Sequence, residues 1–241
     1  MNKIIEITLF VTIIGGISSG IGGILCSLKN FKNKKNLYSL QQFTAGIMTG
    51  IVCFDMLPKS FEITNVWINI IGVIIGIAFI YLLNNILNRY NNKKYSYNLI
   101  MSLFIMISMA FHNLIEGLAI GASFCYSFSM GLSVIIAIIL HDIPEGVIVG
   151  MSNNIAGMNK ERNIVNTILV GSITGIGALV GGIIGNINDI FTSLSLSIAS
   201  GVMLYIISCE LIPSLYNECN NKVINISYII GILISYIIVY M

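Results

Sequence analysis

Long apolar runs, separated by short polar breaks, cover almost the whole chain. Eight can be drawn, at 4–28, 38–57, 66–88, 97–124, 128–152, 162–186, 190–214 and 223–241. Each approaches the roughly 20 residues that a helix needs to cross the hydrocarbon core of a bilayer. Backbone polar groups find no partner in lipid, so runs of this kind must close their hydrogen bonds internally, as helices do. The pattern predicts an all-α integral membrane protein of eight transmembrane helices. The breaks leave no room for a soluble domain, and residues 1–241 read as a single transmembrane domain. The first run is mostly uncharged after Lys3 and has no clear cleavage pattern, so it is expected to be a true span rather than a leader.

Composition agrees. The chain is 56% hydrophobic and 9% charged, with a mean hydropathy of +0.91, which excludes an ordinary soluble globular protein. The net charge of +2 says little, but the placement of the basic residues says more. With eight spans, Lys29, Lys32, Lys34, Lys35, Arg89, Lys93, Lys94, Lys160, Arg162 and Lys222 fall on one side, and Lys3 and Lys59 on the other. Basic loops stay cytoplasmic, so both termini are expected to face outward from a plasma (inner) membrane. The five cysteines, Cys26, Cys53, Cys125, Cys209 and Cys219, form no C-x-x-C pair and read as small apolar fillers. Trp67 and nearby Asn65 read as interface anchors.

Two internal repeats stand out. His112-Asn113-Leu114-Ile115-Glu116-Gly117 reads against His141-Asp142-Ile143-Pro144-Glu145-Gly146 at an offset of 29, and these segments hold both histidines of the chain. They lie in consecutive spans, which run in opposite directions. A second repeat sets Ala45-Gly46-Ile47-Met48 and Asp55-Met56-Leu57-Pro58 against Ser200-Gly201-Val202-Met203 and Glu210-Leu211-Ile212-Pro213, at an offset of 155. These fall in spans two and seven, again oppositely oriented. Spans 1–3 are therefore predicted to mirror spans 6–8 about an axis in the membrane plane, with spans 4 and 5 as the central pair. Inverted repeats of this kind mark secondary transporters, whose substrate site lies near the midplane.

The chemistry sits in that central pair. Residues four apart share a helix face, so His112 and Glu116 converge, as do His141 and Glu145. Two helices packed about 8–10 Å apart can bring both pairs around one cation. Asn113 and Asp142 stand one residue on, close enough to add an oxygen or a supporting bond. Acids at the membrane centre cost about 2.5–3.5 kcal/mol each on the insertion scale, which a divalent cation offsets. Imidazole mixed with carboxylate suits Zn²⁺, Fe²⁺, Mn²⁺ or Cd²⁺ better than Mg²⁺ or Ca²⁺. The plainer alternative is a pair of buried polar ties between helices. Asp55 and Glu210 are expected at opposite mouths of a pathway, where either carboxylate can also simply face water. Met48 and Met203 read as packing residues, with Met48 able to offer a thioether at an entrance. Pro144 inside span five removes a donor and kinks the helix. Gly117, Gly121, Gly146 and Gly150 have the G-x-x-x-G spacing of close helix packing.

On these residues the chain resembles the ZIP family of divalent-metal transporters. The likeness covers nearly the whole length: eight spans, His-Asn-x-x-Glu-Gly in span four, His-x-x-Pro-Glu-Gly in span five, A-G-x-M at 45–48 and Glu-Leu-Ile-Pro at 210–213. It implies transport of Zn²⁺ or a related ion into the cytoplasm, with His112, Asn113, Glu116, His141, Asp142 and Glu145 as metal ligands. It also implies alternating access by movement of one helix bundle against another. The metal is substrate, not a catalytic cofactor; the expected partners are the metal ion and the bilayer, with no nucleic acid, and a homodimer is compatible with this picture. Three departures matter. Ile115 stands where many members have proline, and the stretch from Thr174 to Gly181 lacks the acid of members with a two-metal centre. One principal metal is therefore expected. The loop between spans three and four has no histidine, so cytoplasmic zinc sensing there is not expected.

Three other functions compete. A membrane zinc protease would carry H-E-x-x-H, which is absent. A channel lined by the same residues is not separable by sequence from a carrier. A non-transporting sensor lacks a soluble domain to report its signal.

Overall fold

In a computed structural model, which describes residues 2–27, 34–89, 97–185, 189–212 and 222–240, the apolar runs are helices and no strand occurs among these residues. They are α1 (Asn2–Cys26), α2 (Lys34–Ile51), α3 (Leu57–Ile63), α4 (Val66–Arg89), α5 (Tyr97–Tyr126), α6 (Phe128–Ile155), α7 (Lys160–Gly185), α8 (Asp189–Tyr205) and α9 (Lys222–Tyr240). Among the described residues seven stretches are long and apolar enough to cross a membrane, and Asn225–Tyr240 is a shorter apolar helix. The fold is that of an all-α integral membrane protein. Apolar side chains such as Ile71, Ile74 and Leu82 on α4 point outward, while serine, threonine, asparagine and the acidic motif residues point inward. That inside-out distribution is what lipid demands: the polar groups find partners within the bundle.

Spans two and seven are not continuous α-helices. A π turn at Val52–Met56 joins α2 to α3, and a second at Ile206–Leu211 follows α8. Pro58 lies just after the first and Pro213, outside the described residues, just after the second. A proline inside a helix cannot donate and its ring presses on the preceding turn; widening that turn relieves the clash. Span two consequently runs on to Ile63, beyond its expected end at 57. Pro144, by contrast, sits inside a helix assigned without a break, Phe128–Ile155. Asn65, expected at the interface, caps α4: its Oδ1 accepts from the backbone N–H of Trp67 and Ile68, both at 3.1 Å.

The packing is symmetric in detail. α1 packs on α7 and α6, as α7 packs on α1 and α5; α2 packs on α9, as α8 packs on α4. The close approaches obey the same offsets of 155 and 29. A Cβ placed on Gly22 would stand 2.1 Å from the carbonyl oxygen of Ile143, and one on Gly177 would stand 2.1 Å from that of Leu114. One on Gly146 would meet Ser19 O at 2.0 Å, and one on Gly117 would meet Thr174 O at 2.0 Å. Likewise Gly46 lies on Tyr228 O and Gly201 on Val73 O, with Cβ distances of 2.1 and 2.2 Å. Only a residue without a side chain fits at each of these points. In the α7 stretch that lacks the acid of two-metal members, Gly177 and Gly181 are thus used for backbone contact with α5.

α1, α5, α6 and α7 form one closely packed group; of the remaining helices α2 packs on α9 and α4 on α8, and α8 is also seated against α5. A buried amide network ties the closely packed group at one end. Asn163 donates to Gly150 O and Asn154 Oδ1, both at 3.0 Å, and accepts from Asn153 at 3.1 Å. Asn153 in turn accepts from Ser102 at 2.6 Å, and Asn154 donates to Cys26 O at 3.2 Å. Cys26, Cys53, Cys125 and Cys209 are free thiols; Cys219 lies outside the described residues.

Candidate metal centre

α5 and α6 pack on each other and bring their motif residues together, while Gly117 seats α5 on α7 and Gly146 seats α6 on α1. His112, Glu116, His141 and Glu145 are all buried, at 0–1% exposure. One ligand atom from each lies within 4.8 Å of the other three. The contacts run across the two helices. His112 Nε2 is 3.0 Å from Glu116 Oε1 and 3.0 Å from Glu145 Oε1, and His141 Nε2 is 2.8 Å from Glu116 Oε1. The imidazole centroids are 6.4 Å apart. Glu116 Oε1 is thus shared by both histidines, and His112 Nε2 by both glutamates.

Several polar atoms here are buried without a hydrogen-bond partner in the protein: His112 Nδ1, Glu116 Oε2, Glu145 Oε2, Asn113 Oδ1 and Asp142 Oδ1. A buried polar group left unmade costs about 1–3 kcal/mol, more when charged. Five at one place are hard to account for as helix ties, which would satisfy their atoms. The donor set fits a divalent transition-metal ion: a tetrahedral shell with bonds of about 2.0–2.1 Å spaces its ligands about 3.4 Å apart, within reach of four atoms already inside 4.8 Å.

Asn113 and Asp142 are placed differently from the four. Asn113 donates to Val170 O of α7 at 3.0 Å, and Asp142 Oδ2 accepts from Ser18 of α1 at 2.9 Å. Each keeps one unpartnered oxygen, so each braces its neighbouring histidine's helix while retaining an acceptor. Ser18 is the residue that the sequence reading missed; a lone serine in an apolar run gives no sign of its partner 124 residues away. Asp55 is buried at 6% exposure on the first π turn and pairs with Lys59. Glu210 occupies the second π turn, and its side chain lies outside those described. Met48 and Met203 are fully buried core residues.

Residues 91–240 match the family described as ZIP Zinc transporter. A zinc transporter ZupT of Chlorobium luteolum is 30% identical over 234 residues, 87% of this chain and 88% of that protein. One from Chlorobaculum parvum is 29% identical, covering 89% of each chain. Another, from Chlorobium limicola, is 28% identical over 46% of this chain and 50% of that protein.

Proposed function

The chain belongs to the ZIP zinc transporter family, and from that premise we propose that it carries a divalent transition-metal ion, zinc foremost, into the cytoplasm through the centre formed by His112, Glu116, His141 and Glu145. The observation that carries this reading is the convergence of four buried ligand atoms from two antiparallel helices. Iron, manganese and cadmium suit the same donors. Asn113 and Asp142 hold the two motifs in register and lend an oxygen as the ion arrives or leaves. One ion occupies the centre, since the Thr174–Gly181 stretch offers no further carboxylate. In this reading the protein is a transporter rather than an enzyme, in keeping with its family.

The chemistry follows from charge. Without a cation, three acidic side chains lie buried beside two imidazoles. Desolvation of such a set is offset when a dication replaces the missing partners. The ion exchanges part of its water for the two imidazole nitrogens and two carboxylate oxygens. Leaving requires that some of these bonds be loosened, which a shift of α1, α5, α6 and α7 against the other helices would do. Alternating access is favoured over an open channel by the burial of the centre. Ten of the twelve basic residues on one side favour that side as cytoplasmic, with both termini outside the inner membrane, and inward movement of the ion is the direction that the family likeness implies.

Zinc and cadmium flux into proteoliposomes tests the reading. Flux that saturates, withstands excess Mg²⁺ or Ca²⁺, and is lost in folded His112→Ala and Glu145→Ala supports it. Wild-type flux in both variants would overturn the site, and flux that never saturates would favour a channel.

A further inference from the structure

Asp55 and Lys59 form an ion pair one helical turn apart, where the first π turn leads into α3. Two observations lift this pair above an ordinary surface bridge. Asp55 is buried at 6% exposure, and its Oδ2 has no hydrogen-bond partner. Lys59 is itself largely buried, and its ammonium also donates to Ser133 Oγ of α6 at 2.8 Å. Ser133 passes its own hydrogen on to Met130 O at 3.0 Å. Asp55 and Lys59 belong to the α2–α3 side, and Ser133 to the group that holds the metal centre. The ammonium therefore links the α2–α3 segment to α6, a member of the closely packed group. A second bond reaches that group, from Thr192 of α8 to Ala122 O of α5 at 3.3 Å. Both cross-links lie toward the end where α1 begins and α5 turns into α6, opposite the amide network of Asn153 and Asn163.

We propose that Lys59 is a tethered cation occupying the carboxylate of Asp55, so that an arriving divalent metal must displace it and, in doing so, releases Ser133 and the link between the α2–α3 segment and α6. This rests on the transport reading above. A divalent metal drawn to the unpartnered Oδ2 meets the ammonium held on Oδ1 of the same carboxylate, and the two positive charges repel; only the ammonium also reaches Ser133. Displacement thus couples recognition of a dication to loosening of that end. A monovalent ion, held more weakly by one carboxylate, displaces Lys59 less well, so the pair also contributes to selectivity.

The test is the KM for zinc in proteoliposomes, read separately from kcat. Lys59→Met is expected to lower KM about two- to fivefold, the range of a partly exposed ion pair. Lys59→Arg should keep the wild-type KM. Ser133→Ala, which leaves the ion pair intact, should lower KM by a smaller factor. A structural role alone would reduce the amount of folded protein and leave KM unmoved. Binding supplies a second readout that needs no flux: in a Glu116→Gln background, Lys59→Met should strengthen radioactive zinc binding, and Asp55→Asn should abolish the gain. An unchanged or raised KM in folded Lys59→Met, beside normal wild-type flux, overturns this proposal alone. Should Lys59→Met fail to fold, an unchanged KM in Ser133→Ala overturns it. Absence of saturable flux from folded wild type overturns both readings.

Discussion

Ser18 donates a hydrogen bond to Oδ2 of Asp142, 2.9 Å away, across the interface of α1 and α6. Asp142 is fully buried and follows His141 directly, so this bond orients a carboxylate beside the metal centre without touching the centre itself. Supporting bonds of this kind typically change metal affinity by about 10–100-fold. Ser18→Ala is expected to weaken zinc binding about tenfold, measured by calorimetric titration of the purified protein, with little change in thermal stability. An unchanged affinity would make Asp142 a purely structural residue.

The two glutamates of the centre are not equivalent. Glu116 Oε1 stands within 3.0 Å of both imidazoles, whereas Glu145 Oε1 stands 3.0 Å from that of His112. Glu116→Gln should therefore weaken zinc binding more than Glu145→Gln, with the first exceeding the roughly 100-fold upper range for a supporting residue. Equilibrium binding on both variants decides it; the reverse order would mean that the ion binds closer to Glu145.

The matched glycines make a paired stability prediction. A methyl on Gly117 would strike Thr174 O, and one on Gly146 would strike Ser19 O, each at 2.0 Å. Backbone cannot yield as a flexible side chain does, so Gly117→Ala and Gly146→Ala should each destabilise by about 1–3 kcal/mol, and by similar amounts. Thermal unfolding in detergent tests this. A large difference between the two would mean that one half of the repeat is softer than the other.

Asn163 is fully buried and bonded at both ends of its amide. Asn163→Ala removes the acceptor of Asn153 Nδ2 and the donor to Asn154 Oδ1 and Gly150 O, at a cost of about 1–3 kcal/mol for each buried group left unmade. Loss of stability with zinc affinity preserved is expected, since the network lies at the end of the bundle away from Lys59 and Ser133. Affinity falling in step with stability would place the network within the centre.

Much of this was legible in the sequence because symmetry leaves a trace in residue numbers. The offsets of 29 and 155 located the central pair and mirrored the outer spans. They go on to predict contacts that were not read, such as Gly22 on Ile143 and Gly177 on Leu114. The convergence of His112, Glu116, His141 and Glu145 was legible because histidine and glutamate in lipid must find partners. What escaped was partnership over distance. Nothing local to Ser18 points to Asp142, and nothing local to Lys59 points to Ser133, 74 residues on. The π turns escaped for a different reason: the apolar pattern is blind to whether a turn closes on the fourth or fifth residue. Pro58 and Pro213, one in each span, were the available signal.

The mirrored glycine contacts carry a further consequence. Matched glycines in the two halves meet matched backbone carbonyls, so under the transport reading proposed above, exchanging the conformations of the halves would keep these seams. Two near-degenerate arrangements need no built-in spring to interconvert. Moving a population from 1:99 to 99:1 takes only about 5.5 kcal/mol of differential affinity, a quantity within the compass of a dication among buried carboxylates. Under that reading, the glycine seams favour neither arrangement and leave the choice of side to the cargo.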